Sequence, residues 1–378
     1  MNLLKPFVTL LCALVLSVGI TGEPSLALTP SDLAKDFIKP EHWTNRQLAA
    51  QVIFTCSSAP SLSAQAKNVE AGLGGIALVG SGASPKLKQR INSLRKLSPN
   101  GVEFVVASDE EGGWVQRLRR AIYTLPSATT MGMWSDSKIT KTAYDYGKRM
   151  KALNVDIAFS PVADLNVPGF FIATNRRGFS ANPKLAGSKA VAWAAGLRQA
   201  GVVPTVKHWP GHGSAVDTHA RPSTLAPLST LEKRDLMPFT FAFSHGVKMA
   251  MVGHLLVPGL TEPKTPTSRS PKALKLLRSQ IGADGIIITD SLSMGGATRG
   301  MHKDIAEVAI RSLEAGVDIA LVCTGPKNLI SRVTAAVDSG RLTRPMLLAK
   351  VRRVLALKKQ LGLVTRVPAM SMSGQSLG

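Results

Sequence analysis

Short apolar runs alternate with longer helical patterns along most of the chain. Each run is bounded by Gly, Pro or polar residues, which is typical of a parallel strand buried on both faces. Eight strands are predicted, at Val52–Thr55, Ile76–Val79, Phe104–Ala107, Val155–Phe159, Val202–Val206, Ala250–Val252, Ile286–Thr289 and Ile319–Val322. The predicted helices between them include Lys138–Ala152, Pro183–Ala200, Glu232–His245, Pro271–Ile281, Lys303–Ala315 and a closing helix over Pro345–Leu361.

This alternation predicts an α/β fold, a single-domain (β/α)8 barrel of the TIM type. An open, doubly wound sheet is the alternative. No GxGxxG sequence follows a predicted strand, which argues against a dinucleotide-binding version of that sheet.

The two ends of the chain differ from its alternating middle. Residues 1–27 combine a positive charge at Lys5 with the apolar run Phe7–Ile20 and small residues for cleavage, as a signal peptide does. The alternative is an uncleaved anchor, although the apolar run is short for a membrane span. Residues 365–378 are rich in Ser and Gly and predict a disordered tail, so the folded domain is expected over residues 28–364.

Composition narrows the classes of function. With 44% hydrophobic residues, the 378-residue chain can bury a large core, which excludes disorder over most of its length. Its 46 Lys and Arg against 24 Asp and Glu give a net charge of +22. Such a charge suggests an anionic partner, whether nucleic acid, lipid head groups or an acidic wall polymer. The alternative is that the excess cations only solvate outer helices, as Lys350–Gln360 suggests.

Polar residues are crowded directly after the predicted strands. In a (β/α)8 barrel these strand ends meet on one rim, where catalytic groups lie. Taken alone, a carboxylate in such a place serves equally well as an N-cap for the next helix, but five strands contribute polar groups here. The residues concerned are Asp109, Glu110, Glu111, Asp164, Lys207, His208, His254 and Asp290.

The segment 207–219 contains three histidines and an aspartate, which first suggests a metal site. Its spacing is loose, and its Gly and Pro residues predict a loop, so acid–base chemistry is the favoured interpretation. Asp217 and His219 are two residues apart, so both side chains project to one face of an extended segment. A carboxylate beside an imidazole fixes its tautomer and raises its basicity. The alternative is a structural Asp–His hydrogen bond.

Six segments carry a family signature. In chain order they are ASDEEGGWVQRL, FSPVADLN, NRRGFS, KHWPGHGSAVDTH, VGHLLVPGL and IITDSLSM. Together they resemble glycoside hydrolase family 3, in particular its bacterial β-N-acetylglucosaminidase (β-N-acetylhexosaminidase) branch, from about Trp43 to Leu363. The KH-x-PGHG-x3-D-x-H pattern is the most specific of them, because it distinguishes this branch from the β-glucosidase branch.

The resemblance implies a role for each matching residue. Asp290 matches the catalytic nucleophile, and His219 matches the general acid/base with Asp217 as its partner on a mobile loop. Supporting roles fall to Glu111 and His254. No metal and no cofactor is expected. The positions that match sugar-binding residues are Asp109, Arg117, Arg177, Lys207 and His208.

Three positions depart from the usual pattern of the family. Trp114 stands where Arg is common, Glu110 where Gln is common, and Gly178 where Ser is common. None of these changes removes a catalytic group. The change to Trp114 affects the contacts that the protein can make with the leaving-group side of the substrate.

The chemistry that the resemblance implies is a retaining double displacement. Asp290 attacks the anomeric carbon and forms a covalent glycosyl-enzyme, while His219 protonates the departing oxygen and then accepts a proton from water. A histidine that has donated its proton is neutral and repels an anionic acceptor little. Phosphate could therefore replace water, so a phosphorylase is an open alternative.

An exported enzyme of this kind would meet N-acetylglucosamine β-linked to muramic acid in peptidoglycan fragments. We therefore expect N-acetylglucosamine-containing muropeptides or glycans as substrates, an extracellular or cell-wall location, and a monomer. A catalytically inactive module that binds wall sugars is one alternative. A nucleic-acid-binding protein is another, but the 5% aromatic content and the absence of a binding motif oppose it.

Two cysteines fall at the ends of predicted strands. Cys56 ends the first strand and Cys323 the eighth, and these strands are neighbours in a closed barrel. An oxidising compartment would permit a disulfide between them. The alternative is two buried thiols.

Overall fold

The structure is a computed structural model, and it describes residues 38–301 and 304–364. The signal peptide predicted over residues 1–27 and the tail predicted over residues 365–378 lie outside the described residues and stay predictions. Within the described part of the chain, no helix is both long and apolar enough to cross a membrane.

Strands form at all eight predicted positions, and short additional strands follow some of them. In chain order the strands are β1 (Ile53–Ser58), β2 (Gly75–Val79), β3 (Val105–Ser108), β4 (Glu110–Gly112), β5 (Val115–Gln116), β6 (Ile157–Ala158), β7 (Val203–Pro204), β8 (Val206–Trp209), β9 (Ser223–Thr224), β10 (Met249–Val252), β11 (Leu255–Leu256), β12 (Ile286–Thr289) and β13 (Ala320–Val322).

Helices fill most of the connections between the strands. In chain order they are α1 (Asn45–Gln51), α2 (Ala66–Glu70), α3 (Leu87–Arg95), α4 (Ala128–Met131), α5 (Asp136–Ala152), α6 (Phe171–Thr174), α7 (Pro183–Gln199), α8 (Leu228–Lys233), α9 (Met237–Ser244), α10 (Pro271–Ile281), α11 (Gly295–Thr298), α12 (Ile305–Ala315), α13 (Leu329–Asp338) and α14 (Arg344–Gln360). Short 3₁₀ helices lie at Pro40–His42, Ala59–Gln65, Pro99–Gly101 and Thr267–Arg269.

The main strands form two parallel sheets. One has the order β13-β1-β2-β3-β6-β7 and the other the order β12-β10-β8. β7 and β8 are consecutive in the chain, and a parallel bridge from Ile288 to Ile319 links β12 to the residue before β13. The α/β class and the parallel strand direction are thus confirmed, although the hydrogen-bonded ladders form two sheets rather than one.

Alternate residues of the strands face two separate apolar clusters. On β10, Met249 and Met251 belong to an inner cluster shared by both sheets, and Ala250 belongs to an outer cluster between strands and helices. This two-sided burial explains why the strands are continuous apolar runs. Val354 and Leu357 of α14 also belong to the inner cluster, so the closing helix covers one end of it.

The helix predicted over Glu232–His245 is two helices, α8 and α9. Arg234 leaves the helical region with φ −141° and ψ −71° and ends α8. Pro238 lies in the first turn of α9, where a missing N–H group removes no helical hydrogen bond.

Cys56 and Cys323 form a disulfide, with their Cα atoms 4.4 Å apart. Cys56 lies in β1, and Cys323 directly follows β13. These two strands are paired in parallel, with Ile53 opposite Ala320. Of the two alternatives left open by the sequence, a disulfide or two buried thiols, the structure has the disulfide, and it joins the ends of the first and last strands of the described chain.

Candidate active site

The carboxyl ends of several strands border one cavity of about 190 Å³. Asp109 follows β3, Lys207 lies in β8, and Asp290 follows β12. Asp217 is not on the cavity wall, but it bonds to a residue that is. The predicted site residues that line the cavity are Asp109, Arg117, Arg177, Lys207, His208, His219 and Asp290.

A tight hairpin of β4 and β5 follows the third main strand. Gly112 and Gly113 adopt φ values of 86° and 58° at its turn, a region that favours glycine. The hairpin brings Arg117, which follows β5, back to Asp109, which precedes β4. Arg117 Nη2 donates to Asp109 Oδ2 over 3.3 Å.

Four charged side chains form a connected network in the cavity wall. Lys207 Nζ donates to Asp109 Oδ1 (2.7 Å) and to Glu111 Oε1 (2.6 Å). Arg177 donates to both oxygens of Glu111, through Nε (2.7 Å) and Nη2 (2.8 Å). Burial alone would raise the pKa of Glu111, but Arg177 and Lys207 hold that pKa well below its usual range. Glu111 therefore stays ionised between Arg177 and Lys207, and the network offers charged hydrogen-bonding groups to a polar ligand.

Asp164 fixes the first turn of the 207–219 segment. Its Oδ1 accepts from the amides of His208 (3.0 Å) and His212 (2.7 Å), and its Oδ2 accepts from His208 Nδ1 (2.7 Å). Burial would raise the pKa of Asp164, but His208 and the other hydrogen bonds lower it below its usual value. With Nδ1 engaged, His208 directs Nε2 towards Arg177, whose Nη2 lies 3.4 Å away.

Asp290 presents a carboxylate to the cavity. Its backbone N–H continues the sheet by donating to Val252 O (2.9 Å), and its Oδ1 accepts from the Ser291 amide (2.7 Å). Burial acts to raise its pKa, but the charges of His208 and His254, with this hydrogen bond, lower that pKa below its usual value. The group is therefore ionised at neutral pH, as a nucleophile must be.

Asp217 and His219 form the pair expected from their spacing. His219 Nδ1 donates to Asp217 Oδ1 over 2.5 Å, and the His219 amide donates to the same oxygen over 3.0 Å. The pKa of Asp217 is lowered, because these hydrogen bonds outweigh the effect of partial burial. The side chains are 50% and 67% exposed, respectively. The arrangement leaves His219 Nε2 free of this bond and able to exchange a proton with a bound molecule.

The "Glycosyl hydrolase family 3 N terminal domain" model matches residues 50–357. The chain belongs to glycosyl hydrolase family 3. The resemblance drawn from the sequence is thereby confirmed, and this family 3 glycosidase has relatives of known name and structure.

Among curated proteins, "Beta-hexosaminidase LpqI" of Mycobacterium tuberculosis is 36% identical over 265 residues, which is 68% of each chain. A "Beta-hexosaminidase" of Methylococcus capsulatus is 33% identical, over 67% of this chain and 76% of the relative. Among solved structures, M. tuberculosis LpqI superposes with a TM-score of 0.76 at 32% identity, covering 84% of this chain and 95% of the other. A family 3 β-N-acetylglucosaminidase from Paenibacillus has a TM-score of 0.79 at 28% identity, with coverage of 89% and 66%.

The cavity of this family 3 glycosidase also contains residues that sequence reasoning did not single out. Phe171 lies near both His219 and Arg177. Its ring centroid is 6.3 Å from that of His219 and 5.6 Å from the Arg177 guanidinium carbon. His212 is buried, and its pKa falls to about 4 because burial and the nearby His208 disfavour the charged form. The PGHG sequence marked His212, but no local pattern marks Phe171, which is the first residue of the short helix α6.

Three other residues of the signature lie outside the cavity wall. Glu110 is fully buried behind it and accepts from Ser108 and Tyr146, each over 2.6 Å. His254 Nε2 lies 3.0 Å from the Ser291 carbonyl oxygen, so it supports the segment beside the predicted nucleophile. Trp114 lies at the hairpin turn and is 77% exposed.

Metal binding was the alternative weighed for the 207–219 segment. Among the residues that the structure describes, no group of three or more His, Cys, Asp or Glu side chains is arranged to hold a metal ion. The three histidines of this segment instead form hydrogen bonds: His208 Nδ1 with Asp164, His212 Nε2 with the Thr218 hydroxyl, and His219 Nδ1 with Asp217.

Proposed function

We propose that this family 3 glycosidase is an exported, retaining β-N-acetylhexosaminidase that removes terminal β-linked N-acetylglucosamine from peptidoglycan fragments. The observation that carries the proposal is the meeting, at one cavity, of the ionised Asp290 with the Asp217–His219 pair and the charged network of Lys207. The relatives named β-hexosaminidase support the choice of sugar.

The cavity offers complementary groups to the hydroxyls of one terminal sugar. Lys207 and Arg177 present N–H donors, and the remaining lone pairs of Asp109 accept from sugar hydroxyls. Charged hydrogen bonds of this kind fix the orientation of a ligand as well as its affinity. We infer that this network holds the ring so that its anomeric carbon faces Asp290.

In the first chemical step, an Asp290 oxygen forms a bond to the anomeric carbon as the bond to the leaving oxygen breaks. His219 donates its Nε2 proton to that oxygen, and Asp217 stabilises the charged imidazole before the transfer. In the second step the neutral His219 removes a proton from water, and the resulting hydroxide displaces Asp290. Acid–base assistance of this type contributes about 10²–10⁴-fold to the rate.

The proposed location follows from the predicted signal peptide and from the net charge of +22. An exported cationic enzyme is attracted to an anionic wall, where peptidoglycan fragments carry the proposed linkage.

We further propose that the two sheets close into a single (β/α)8 barrel. At one pair of sheet edges, β7 of the first sheet is followed directly by β8 of the second. At the other pair, the Ile288–Ile319 bridge links β12 to the residue before β13. Both observations support closure.

The decisive experiment compares a chromogenic N-acetyl-β-glucosaminide with the plain β-glucoside. We expect the wild type to prefer the N-acetyl sugar, and Asp290→Asn to lose roughly 10³- to 10⁶-fold in kcat. Asp284→Asn is the matched control, because Asp284 is exposed, pairs with Lys248 and precedes β12, at the opposite end of that strand from Asp290. A folded wild type that cleaves neither substrate would favour the inactive sugar-binding module.

The acceptor is tested in the same assay. Added inorganic phosphate should leave the product as free N-acetylglucosamine if water is the acceptor. Formation of N-acetylglucosamine 1-phosphate in proportion to added phosphate would instead identify a phosphorylase. A full rate in Asp290→Asn would show that another group is the nucleophile.

A further inference from the structure

The loop that carries the predicted acid/base pair is fastened to the segment that follows the predicted nucleophile. The amide of Gly295 donates to the carbonyl oxygen of His219 over 2.7 Å, and the amide of Gly296 donates to that of Thr218 over 3.0 Å. The contact is made through the backbone, so it leaves the His219 side chain free to face the cavity.

This close approach requires glycine on the nucleophile side. A Cβ atom on Gly295 would lie closer to the carbonyl oxygen of Ala220 than non-bonded atoms can approach. A Cβ atom on Gly296 would lie 2.8 Å from the Thr218 oxygen and 3.0 Å from the Cβ of His254. Real Cβ atoms essentially never lie within 3.0 Å of such an atom, so a side chain at Gly295 must push the loop and the helix apart.

The loop is also held from its other face. Thr218 is buried between the exposed Asp217 and His219, and its hydroxyl lies 3.2 Å from His212 Nε2. The alternation of exposed, buried and exposed residues follows from an extended backbone. Thr218 therefore anchors the loop, and its two neighbours carry the proton chemistry.

The nucleophile side of the contact is itself rigid. Between Asp290 and Gly295, the Ser293 hydroxyl donates to Thr324 O over 2.6 Å and accepts from the Thr324 amide over 2.8 Å. Leu292 also donates to Leu321 O over 2.8 Å. One short, fixed segment thus determines the position of Asp290 and, through the two glycines, that of His219.

We propose that Gly295 and Gly296 are positioning residues that set the placement of His219 relative to Asp290. The inference rests on the proposed function, since it takes His219 as the proton donor. Displacing the loop should weaken protonation of the leaving oxygen and leave the attack of Asp290 intact. A shift of about 1 Å at a reacting group can cost on the order of 10²-fold.

The test uses Gly295→Ala and two substrates that differ in their need for an acid. With N,N′-diacetylchitobiose, whose sugar leaving group must be protonated, we expect kcat/KM to fall about 10- to 100-fold. With the 2,4-dinitrophenyl glycoside, whose leaving group departs as a stable anion, we expect a loss under about threefold. Arg299→Ala should leave both values unchanged, because Arg299 has an exposed side chain and directly follows α11, the helix that begins at Gly295.

A reference variant separates this inference from the proposed function. His219→Ala should lose kcat/KM on the disaccharide and keep it on the dinitrophenyl glycoside. This parameter reports the steps up to loss of the leaving group, before His219 acts as a base. If His219→Ala affects both substrates equally, the acid assignment itself fails. If it is selective but Gly295→Ala is not, the positioning role of Gly295 is overturned.

A second variant covers the case in which Gly295→Ala does not fold. Thr218→Val keeps the shape of the side chain but removes its hydroxyl contact with His212. We expect the same selective loss on the disaccharide, together with faster hydrogen–deuterium exchange in a peptide over residues 214–222. Faster exchange together with wild-type rates on both substrates would show that loop placement does not control proton transfer. Unchanged exchange would show that Thr218 does not anchor the loop.

Discussion

Neighbouring buried carboxyl groups around the cavity titrate differently because their partners differ. Glu111 has Lys207 and Arg177 beside it, and its pKa is strongly lowered. Glu110, one residue earlier, accepts only from neutral donors, and burial raises its pKa to about 7. Adjacent positions in one sequence motif thus differ in charge: Glu111 is ionised at neutral pH, whereas the Glu110 carboxyl group titrates near neutral pH.

The Glu110 shift predicts how stability depends on pH. Between its ordinary pKa of 4.5 and about 7, the folded state keeps the Glu110 proton that the unfolded state releases. The contribution of this group to the free energy of unfolding therefore decreases as pH rises through that range. Glu110→Gln should remove the decrease, so the variant should gain stability relative to wild type by about 1–3 kcal/mol between pH 5 and pH 8.

Chemical denaturation at the two pH values measures the difference. The comparison of variant with wild type cancels the titration of all other groups, which are common to both. If the difference in the free energy of unfolding between variant and wild type is equal at pH 5 and pH 8, Glu110 stays ionised throughout that range. Its hydrogen bonds with Ser108, Tyr146 and the amide of Leu118 would then outweigh its burial.

Residue-level reasoning predicted local geometry better than distant contacts. The two-residue spacing of Asp217 and His219 was enough to predict their hydrogen bond, because an extended segment puts both side chains on one face. The bond from Lys207 to Asp109 joins residues that are 98 positions apart, and no local pattern specifies such a partner. The hydroxyl anchor at Thr218 was missed for a different reason: its partner His212 is only six positions away, but the segment between them follows no helix or strand period.

At the scale of elements, apolar strands were predicted well because burial on both faces leaves a strong signal. The hairpin of β4 and β5 was missed, since its Glu110, Glu111 and Gly112 have none of the usual composition of strands. Glu110 and Glu111 lie in a strand because tertiary contacts hold their side chains. The break between α8 and α9 likewise depends on the backbone of Arg234, which the helical pattern does not reveal.

The bond between β1 and β13 should contribute measurably to stability. Replacing both cysteines, Cys56→Ser with Cys323→Ser, should lower the free energy of unfolding by about 2–5 kcal/mol, because the unfolded chain regains freedom that the cross-link removed. Denaturation of the wild type with and without reductant provides the matched control. If reduction changes the wild type but not the double variant, the effect belongs to this bond. Equal stability of oxidised and reduced wild type would contradict the prediction.

At the scale of the whole molecule, the net charge of +22 predicts salt-dependent attachment to anionic wall material. Cosedimentation with walls that carry phosphodiester polymers should be strong at about 50 mM salt and weak at about 500 mM, because screening shortens the range of the attraction. The same walls stripped of those polymers are the control. If attachment does not depend on salt concentration, the excess positive charge does not bind the wall and only solvates the outer helices.

The disulfide also turns most of the chain into a covalent ring. The two cysteines are separated by 267 positions, and every proposed catalytic and sugar-binding residue, from Asp109 to Asp290, falls within that ring. A single proteolytic cut in any loop between the cysteines would open the ring without releasing a fragment. A nicked molecule would thus keep its whole active site on one connected particle, and the cut would become visible by size only after reduction.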